Sequence, residues 1–255
     1  MDDSFDIPLP PIISRIGGKT QMVKKLLAMI PPHDTYVELF CGGASLFFKK
    51  LLSKNNVIND IDTDIINIYR DIKDIKNIDD LVIYSDEINK QLFNTLKNKI
   101  TFNNKKERLF RNLLLSKLSF SGNRKTFGFS EIKGSPQFIN LKKYYNNYRY
   151  KLLNTTILND DFVNVINTYD NKNTFFFLDP PYSELKKSWG YNNLSITADE
   201  LFKILSKIKG KFLMTYDYNL NNINLFKTKF NVYEIETLYS LNHKGKTKEI
   251  IITNY

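Results

Sequence analysis

The segment that most restricts the fold is "TFFFLDPPY", Thr174 to Tyr182, in which an unbroken apolar run meets an aspartate and two prolines. A short, aromatic-rich run stopped by proline reads as a strand buried on both faces, and such a strand belongs to a sheet with helices on either side. Asp179 then stands at the carboxyl end of that strand, the edge of an open α/β sheet where ligands bind. A residue preceding proline is pushed into extended backbone, so Asp179 is aimed out of the strand. Neither Pro180 nor Pro181 has an N–H, and the loop therefore offers a carboxylate and carbonyl acceptors, with Tyr182 beside them. For an Asp-Pro pair alone the ordinary reading is a turn that ends a strand. All four residues after such a strand make a much narrower pattern.

The remaining chain supplies the other layers. "SRIGGKTQMVKKLLAMIPP" reads as a glycine turn and an amphipathic helix stopped by Pro31 and Pro32. "TYVELFCGGASLFFKKLL" predicts a strand from about Tyr36 to Phe40, a glycine turn and a helix through Leu52. "NVINDIDTDIINIYRDI" predicts a second strand ending near Asp60 and a further helix. Strand, glycine loop, helix, strand and acid in that order open a doubly wound α/β unit. From about residue 71 to 154 the alternation gives way to a helical, basic pattern enclosing an irregular loop or hairpin, "SFSGNRKTFGFSEIKGSP". It resumes at "TTILNDDF" and continues through the Phe-rich strand, the helix "TADELFKILSKIKG", the strand "KFLMTY" and the final pair "NVYEIETLYS" and "KEIIITNY". The expected organisation is an α/β domain built from residues 1–70 and 155–255, interrupted by a mostly helical basic insertion at 71–154.

Charge sharpens that division. The chain carries 37 Lys+Arg against 27 Asp+Glu, a net charge of +10. Between Tyr84 and Asn154 there are 15 basic and 4 acidic residues, so this one segment holds the whole excess. A solvated basic face is the ordinary explanation of a charge run, but an excess confined to one insertion points to a polyanion, with nucleic acid first. A single cysteine, Cys41, excludes an intrachain disulfide or a cysteine-based zinc cluster, and His33 and His243 are too few for a histidine-rich site, so no metal is expected. No apolar run approaches the length of a bilayer span and the start, "MDDSFDIPLP", is acidic, so a soluble cytoplasmic protein with no membrane partner is expected.

In "VELFCGGAS", Gly42 and Gly43 let the backbone bend sharply and approach a ligand closely. This is not the dinucleotide pattern, because the third glycine is missing and Glu38 would stand awkwardly beside a pyrophosphate. A cationic, non-phosphorylated nucleoside suits the loop better. Asp60, at the end of the next strand, is placed to accept hydrogen bonds from a ribose. The alternative for Asp60, and for Asp62 and Asp64, is that of acids at a helix N-terminus.

Taken together, "RIGGK" at Arg15 to Lys19, "YVELFCGGASLFF", "INDIDTD", "NDDF" and "FFFLDPPY" follow the order and approximate spacing of the DNA adenine methyltransferase family, which this chain resembles over most of its length. The resemblance implies a Rossmann-like methyltransferase sheet, with the insertion as target-recognition domain. It also implies S-adenosylmethionine as cofactor and double-stranded DNA as partner. By position, the loop Glu38, Phe40, Gly42, Gly43, Ala44 and Ser45 would wrap the cofactor, which Asp179 would also contact. Asp60 would bind its ribose, Asp161 and Phe162 its adenine, and Arg15 and Lys19 its methionine end. Leu39 stands where proline is frequent in that family, and Arg15 where an aromatic or apolar residue is more usual.

The resemblance also gives the opening motif its chemistry. The exocyclic amine of adenine is a poor nucleophile because its lone pair is delocalised into the ring. Hydrogen bonds from its protons to the Asp179 carboxylate and the Pro180 carbonyl would stabilise charge building on nitrogen. Pro181 would stiffen the loop and Tyr182 would stack on a base flipped out of the duplex. Within the insertion, Ser119, Ser121, Asn123, Arg124 and Lys125 put hydrogen-bonding side chains on the irregular loop and are the expected DNA contacts, with Arg124 either reading a base or contacting a phosphate. The same motif serves amine methylation of cytosine and, in related versions, of RNA; motif order favours adenine. Carbon methylation of cytosine needs a nucleophilic cysteine, and Cys41 lies in the glycine loop instead. A non-catalytic nucleic-acid-binding relative of the fold is disfavoured by the intact motif, and a nicotinamide oxidoreductase by the incomplete dinucleotide pattern.

Overall fold

Seven strands form one mixed sheet: β1 (Thr35–Glu38), β2 (Asn55–Asn59), β3 (Thr156–Leu158), β4 (Thr174–Leu178), β5 (Lys211–Asp217), β6 (Asn231–Leu238) and β7 (Lys246–Thr253). Their order is β3-β2-β1-β4-β5-β7-β6. The computed structural model describes residues 3–13, 19, 22–78, 88–119, 122–128, 138–181, 196–238 and 246–255. β1 runs parallel to β2 and to β4, and β4 parallel to β5. β7 is antiparallel to both β5 and β6. The Phe-rich β4 lies in the interior of the sheet with all five residues buried, as its unbroken apolar run requires. Each phenylalanine so buried contributes on the order of 1.5–3 kcal/mol.

Two compact units are distinguished, Met1–Thr20, Gly42–Leu52 and Asp62–Asn159 in the first, Gln21–Cys41, Ser53–Ile61 and Asp160–Tyr255 in the second. The second unit contains β1, β2 and β4 to β7. It also holds the helices α1 (Val23–Met29), α8 (Phe162–Tyr169), α9 (Ala198–Leu205) and α10 (Leu220–Lys227). Strand β1 ends at Glu38, earlier than the sequence suggested, because the Leu39 carbonyl is taken by the Asn59 side chain at 3.1 Å and leaves the ladder.

The first unit holds α2 (Ser45–Lys49), α3 (Thr63–Asp74) and the helices of the insertion, α4 (Lys90–Asn98), α5 (Lys105–Leu118), α6 (Ile139–Lys143) and α7 (Tyr145–Leu153). Helix α2 is shorter than its apolar run suggested, since Lys50 turns to extended backbone. Helix α3 starts at Asp62, whose carboxylate accepts the Asp64 and Ile65 N–H groups as its N-cap. Its apolar stripe, Ile65, Ile66, Ile68, Tyr69 and Ile72, is buried, and α3 packs on α5 and α7.

The acids of α3 face the cations of α5. Asp71 is fully buried and takes a two-pronged grip from Arg108, at 2.9 and 2.6 Å. That grip raises the Arg108 guanidinium above its ordinary pKa against the opposing effect of its own desolvation. Arg111 reaches Asp64 at 2.6 Å and the Leu96 carbonyl of α4 at 3.0 Å, and Lys105 reaches Asp74 at 2.6 Å. A buried carboxylate persists only when paired in this way. Lys151 is likewise buried, its ammonium donating to Asp6 and to the Lys50 carbonyl, both at 2.6 Å. Burial draws its pKa below the usual lysine value, and Asp6 works against that. Among the described residues no helix is long and apolar enough to cross a membrane.

Candidate active site

In the second unit β1 and β4 lie side by side in parallel, with Glu38 level with Phe177, and the Leu39 N–H donates to the Phe177 carbonyl at 3.0 Å. β2 flanks β1 on its other edge and β5 flanks β4, so the strand order turns about between β1 and β4. That reversal opens a crevice at the carboxyl ends of the strands, which is where open α/β sheets bind ligands. The chain segments leaving this edge carry Phe40 after β1, Asp60 after β2, and Asp179, Pro180 and Pro181 after β4.

Asp179 follows the last residue of β4 and is half-buried, with Pro180 buried behind it. Its Oδ1 accepts a hydrogen bond from the hydroxyl of Thr215 on β5 at 2.8 Å. Glu38 is buried at the end of β1 and accepts the Tyr36 hydroxyl at 2.7 Å. Burial pushes that phenol well above its ordinary pKa and the Glu38 charge adds to the effect, so Tyr36 stays a neutral donor. The Phe40 and Phe162 rings lie 5.1 Å apart and make an apolar wall. Asp161 is exposed and caps α8, accepting the Val163 N–H at 2.8 Å.

Sequence reasoning passed over two residues that hold these segments in place. Asn59 is buried at the end of β2; its amide donates to the Leu39 and Asp160 carbonyls at 3.1 and 3.0 Å, and its Oδ1 accepts the Asp160 N–H at 3.0 Å. It thereby ties the segments after β1 and β2 to the one that enters α8. The available signal was a polar residue closing the apolar run "NVIN", since a buried amide must find partners. Thr215 gave less warning, being one β-branched residue in a strand that favours them.

In the first unit the glycine loop bends as read. Gly42 has φ 47° and Ala44 φ 51°, and the Gly42 carbonyl accepts the Tyr69 hydroxyl at 2.6 Å. At Gly43 an added Cβ would come within 2.7 Å of the Ile13 carbonyl oxygen, so no side chain fits there. Ser45 opens α2 and Lys19 is buried. Arg15, Tyr182 and Ser121 lie outside the described residues.

The loop around residues 119–128 turns much of its chemistry inward. Ser119 is buried and bridges in antiparallel fashion to Phe127, and its hydroxyl accepts the Arg124 N–H at 2.9 Å. Asn123 accepts the N–H groups of Lys125 and Thr126 at 2.8 and 3.0 Å, which fixes the turn. Arg124 has φ 58°, and its guanidinium is held by Asp62 and, at 3.4 Å, by Asp64. Lys125 is exposed, and Phe127 packs on Phe93 with ring centroids 5.7 Å apart. No group of three or more His, Cys, Asp or Glu among the described residues is placed to hold a metal ion.

A family model, the D12 class N6 adenine-specific DNA methyltransferase, matches residues 16–241. The chain is 26% identical to type II methyltransferase M1.LlaDCHI of Lactococcus lactis subsp. cremoris, covering 98% of this chain and 96% of that one. It is 30% identical to type II methyltransferase M.CviBI of Paramecium bursaria Chlorella virus NC1A over 72% of this chain and 73% of the relative. Among solved structures, an rRNA methylase from Streptococcus thermophilus aligns over 94% of this chain and 98% of its own, at 12% identity and a TM-score of 0.38.

Proposed function

The chain belongs to the D12 class N6 adenine-specific DNA methyltransferase family, and on that premise we propose that it moves a methyl group from S-adenosylmethionine to the exocyclic amine of an adenine flipped out of double-stranded DNA. The observation that carries this reading is the Asp179-Pro180-Pro181 loop at the carboxyl end of β4, where the strand order reverses against β1 and a buried hydroxyl holds the carboxylate.

The side chains at that edge fit the cofactor. Asp60 accepts hydrogen bonds from the ribose hydroxyls, the Phe40 and Phe162 rings offer an apolar face to the purine, and Asp161 meets its polar edge. Glu38 closes the floor of the site. By the family's pattern, Gly42, Gly43, Ala44 and Ser45 would wrap the cofactor and Arg15 and Lys19 would take its methionine end. When bound, S-adenosylmethionine supplies an electrophilic methyl on a sulfonium. The chain itself does the rest. Asp179 and the Pro180 carbonyl would accept hydrogen bonds from the two amine N–H groups, stabilising positive charge as it develops on nitrogen. Pro181 keeps those acceptors in place, which brings nucleophile and methyl into line. Tyr182 stacks on the extruded base, worth roughly 1–3 kcal/mol, and helps offset the unstacking that extrusion costs.

The test is to treat a random duplex library with purified protein and S-adenosylmethionine and to sequence it by a method that detects N6-methyladenine. Methylated adenine within one short recurrent sequence is expected. Modified cytosine alone, or modification of RNA alone, would overturn the reading. Calorimetric titration with S-adenosylmethionine is expected to give the same affinity with and without a chelator, because no residue role above involves a metal. Loss of binding on chelation would contradict that.

The insertion, residues 71–154, is proposed to choose the DNA site through Ser119, Ser121, Asn123, Arg124 and Lys125. Exposed Lys125 suits a phosphate, so Lys125→Ala should weaken binding evenly across sequences and lower the salt slope by about one. Arg124 can bond guanine through two parallel contacts once released from Asp62 and Asp64. Arg124→Ala should therefore relax preference at one base position by roughly 1–3 kcal/mol. A uniform loss across the library would mean that Arg124 only shapes the loop.

A further inference from the structure

We propose that Thr215 is a positioning residue for methyl transfer: its hydroxyl fixes the rotation of the Asp179 carboxylate and so decides which oxygen meets the adenine amine. The inference rests on the role proposed above for Asp179. Backbone freedom at the motif is small, because Pro180 and Pro181 have φ locked by their rings. What remains is the side chain of Asp179, whose terminal torsion is broad and close to two-fold rather than confined to sharp wells. An acceptor free to turn would spend much of its time misaligned with the amine, and misplacement of about 1 Å can cost on the order of a hundredfold in rate.

Thr215 restrains that torsion. Its backbone is fixed from both sides, since β5 pairs with β4 through Leu178 and Met214 and with β7 through Thr215 and Ile251. Its side chain is fully buried, and β-branching stiffens its first torsion. A hydroxyl has one proton to donate. Two acceptors are in range, Asp179 Oδ1 at 2.8 Å and the Leu178 carbonyl at 3.5 Å, and the short contact to the carboxylate takes the proton. Oδ1 is thereby anchored to the sheet, and the rigid strand sets the direction in which the rest of the carboxylate faces. Nothing in this arrangement involves the ribose or adenine of the cofactor, so the effect belongs to turnover and not to cofactor affinity.

Thr215→Val keeps shape and β-branching while deleting the donor. Turnover on a duplex carrying the preferred site should fall about tenfold, the size of one hydrogen bond to a charged group. KM for that duplex and the calorimetric Kd for S-adenosylmethionine should stay within about twofold. Thr215→Ser, which restores the hydroxyl, should recover turnover to within about threefold. Wild-type turnover in Thr215→Val, or a loss carried by KM or Kd with kcat kept, overturns the proposal. If the valine variant melts early, Thr215→Ala is compared with Thr215→Ser, and equal turnover in those two overturns it. Asp179→Ala assayed alongside separates the two ideas. An inactive Asp179→Ala with a fully active Thr215→Val removes only the positioning role, whereas a fully active Asp179→Ala removes the reading beneath it.

Discussion

Asp179→Ala is expected to lower kcat/KM for methyl transfer by at least about 10³-fold while leaving the protein folded. Alanine provides neither a charge to oppose the one growing on the amine nor an acceptor to orient its protons. The Pro180 carbonyl alone cannot make up the loss, because it bonds a single proton and carries no net charge. The structural cost is smaller. Asp179 is half-buried beyond the end of β4, and its removal orphans the buried Thr215 hydroxyl at about 1–3 kcal/mol, part of which returns through the Leu178 carbonyl. Transfer of label from the cofactor to DNA measures the rate, and circular dichroism with a thermal melt checks the fold. Turnover within a few-fold of wild type would sink the assignment. Asp179→Asn should fall between the two, since its amide oxygen accepts a hydrogen bond without the charge.

What the sequence disclosed was local chemistry. An apolar run as dense as "FFFL" has one comfortable place, and β4 occupies it, buried throughout. Gly43 was legible as a place of close backbone approach, but the group that comes near is the Ile13 carbonyl, which the sequence did not indicate. Asp62 was legible as a helix N-terminal acid, and it caps α3. What stayed hidden depends on partners distant in sequence. Asn59 looks like ordinary polarity until Asp160, 101 residues away, is brought beside it. Thr215 acquires meaning only when β5 is laid along β4.

The charge count pointed to nucleic acid, in line with the family, but not to which cations are held by acids. The insertion holds a local excess of basic residues, yet Arg108, Arg111, Arg124, Lys105 and Lys151 are paired with acids that precede it or lie at its edge, Asp71, Asp64, Asp62, Asp74 and Asp6. Arg108, Arg111, Lys105 and Lys151 build the helical scaffold, and Arg124 ties the loop to the start of α3. On the proposed reading, the positive field offered to a duplex would fall to residues such as exposed Lys125, and a salt slope predicted from composition alone would be too steep.

Asp60→Ala should weaken S-adenosylmethionine binding by about a hundredfold, and Asn59→Ala should weaken it for a different reason that experiment can tell apart. A carboxylate accepting from ribose hydroxyls makes charge-assisted bonds, and losing about 3 kcal/mol of them is two decades in Kd. Asp60 is half-exposed just past β2, so its removal should lower the melting temperature less than that of buried Asn59. Asn59 is buried, and alanine there abandons the Leu39 carbonyl together with the carbonyl and N–H of Asp160. Buried backbone groups left in that state cost about 1–3 kcal/mol each before relaxation or entering water reduces the loss. Asn59→Ala should therefore lower stability and affinity together, and cooling should recover part of the affinity as the segments around Phe40 and Asp161 regain their order. Asp60→Ala should recover less on cooling, because what it loses is a bond to the ligand itself. Calorimetric Kd values at two temperatures, set beside melting curves, decide the matter. If Asp60→Ala binds the cofactor as tightly as wild type, the ribose is not its partner, and Asp60 is left with the plainer duty of an acid near the start of α3.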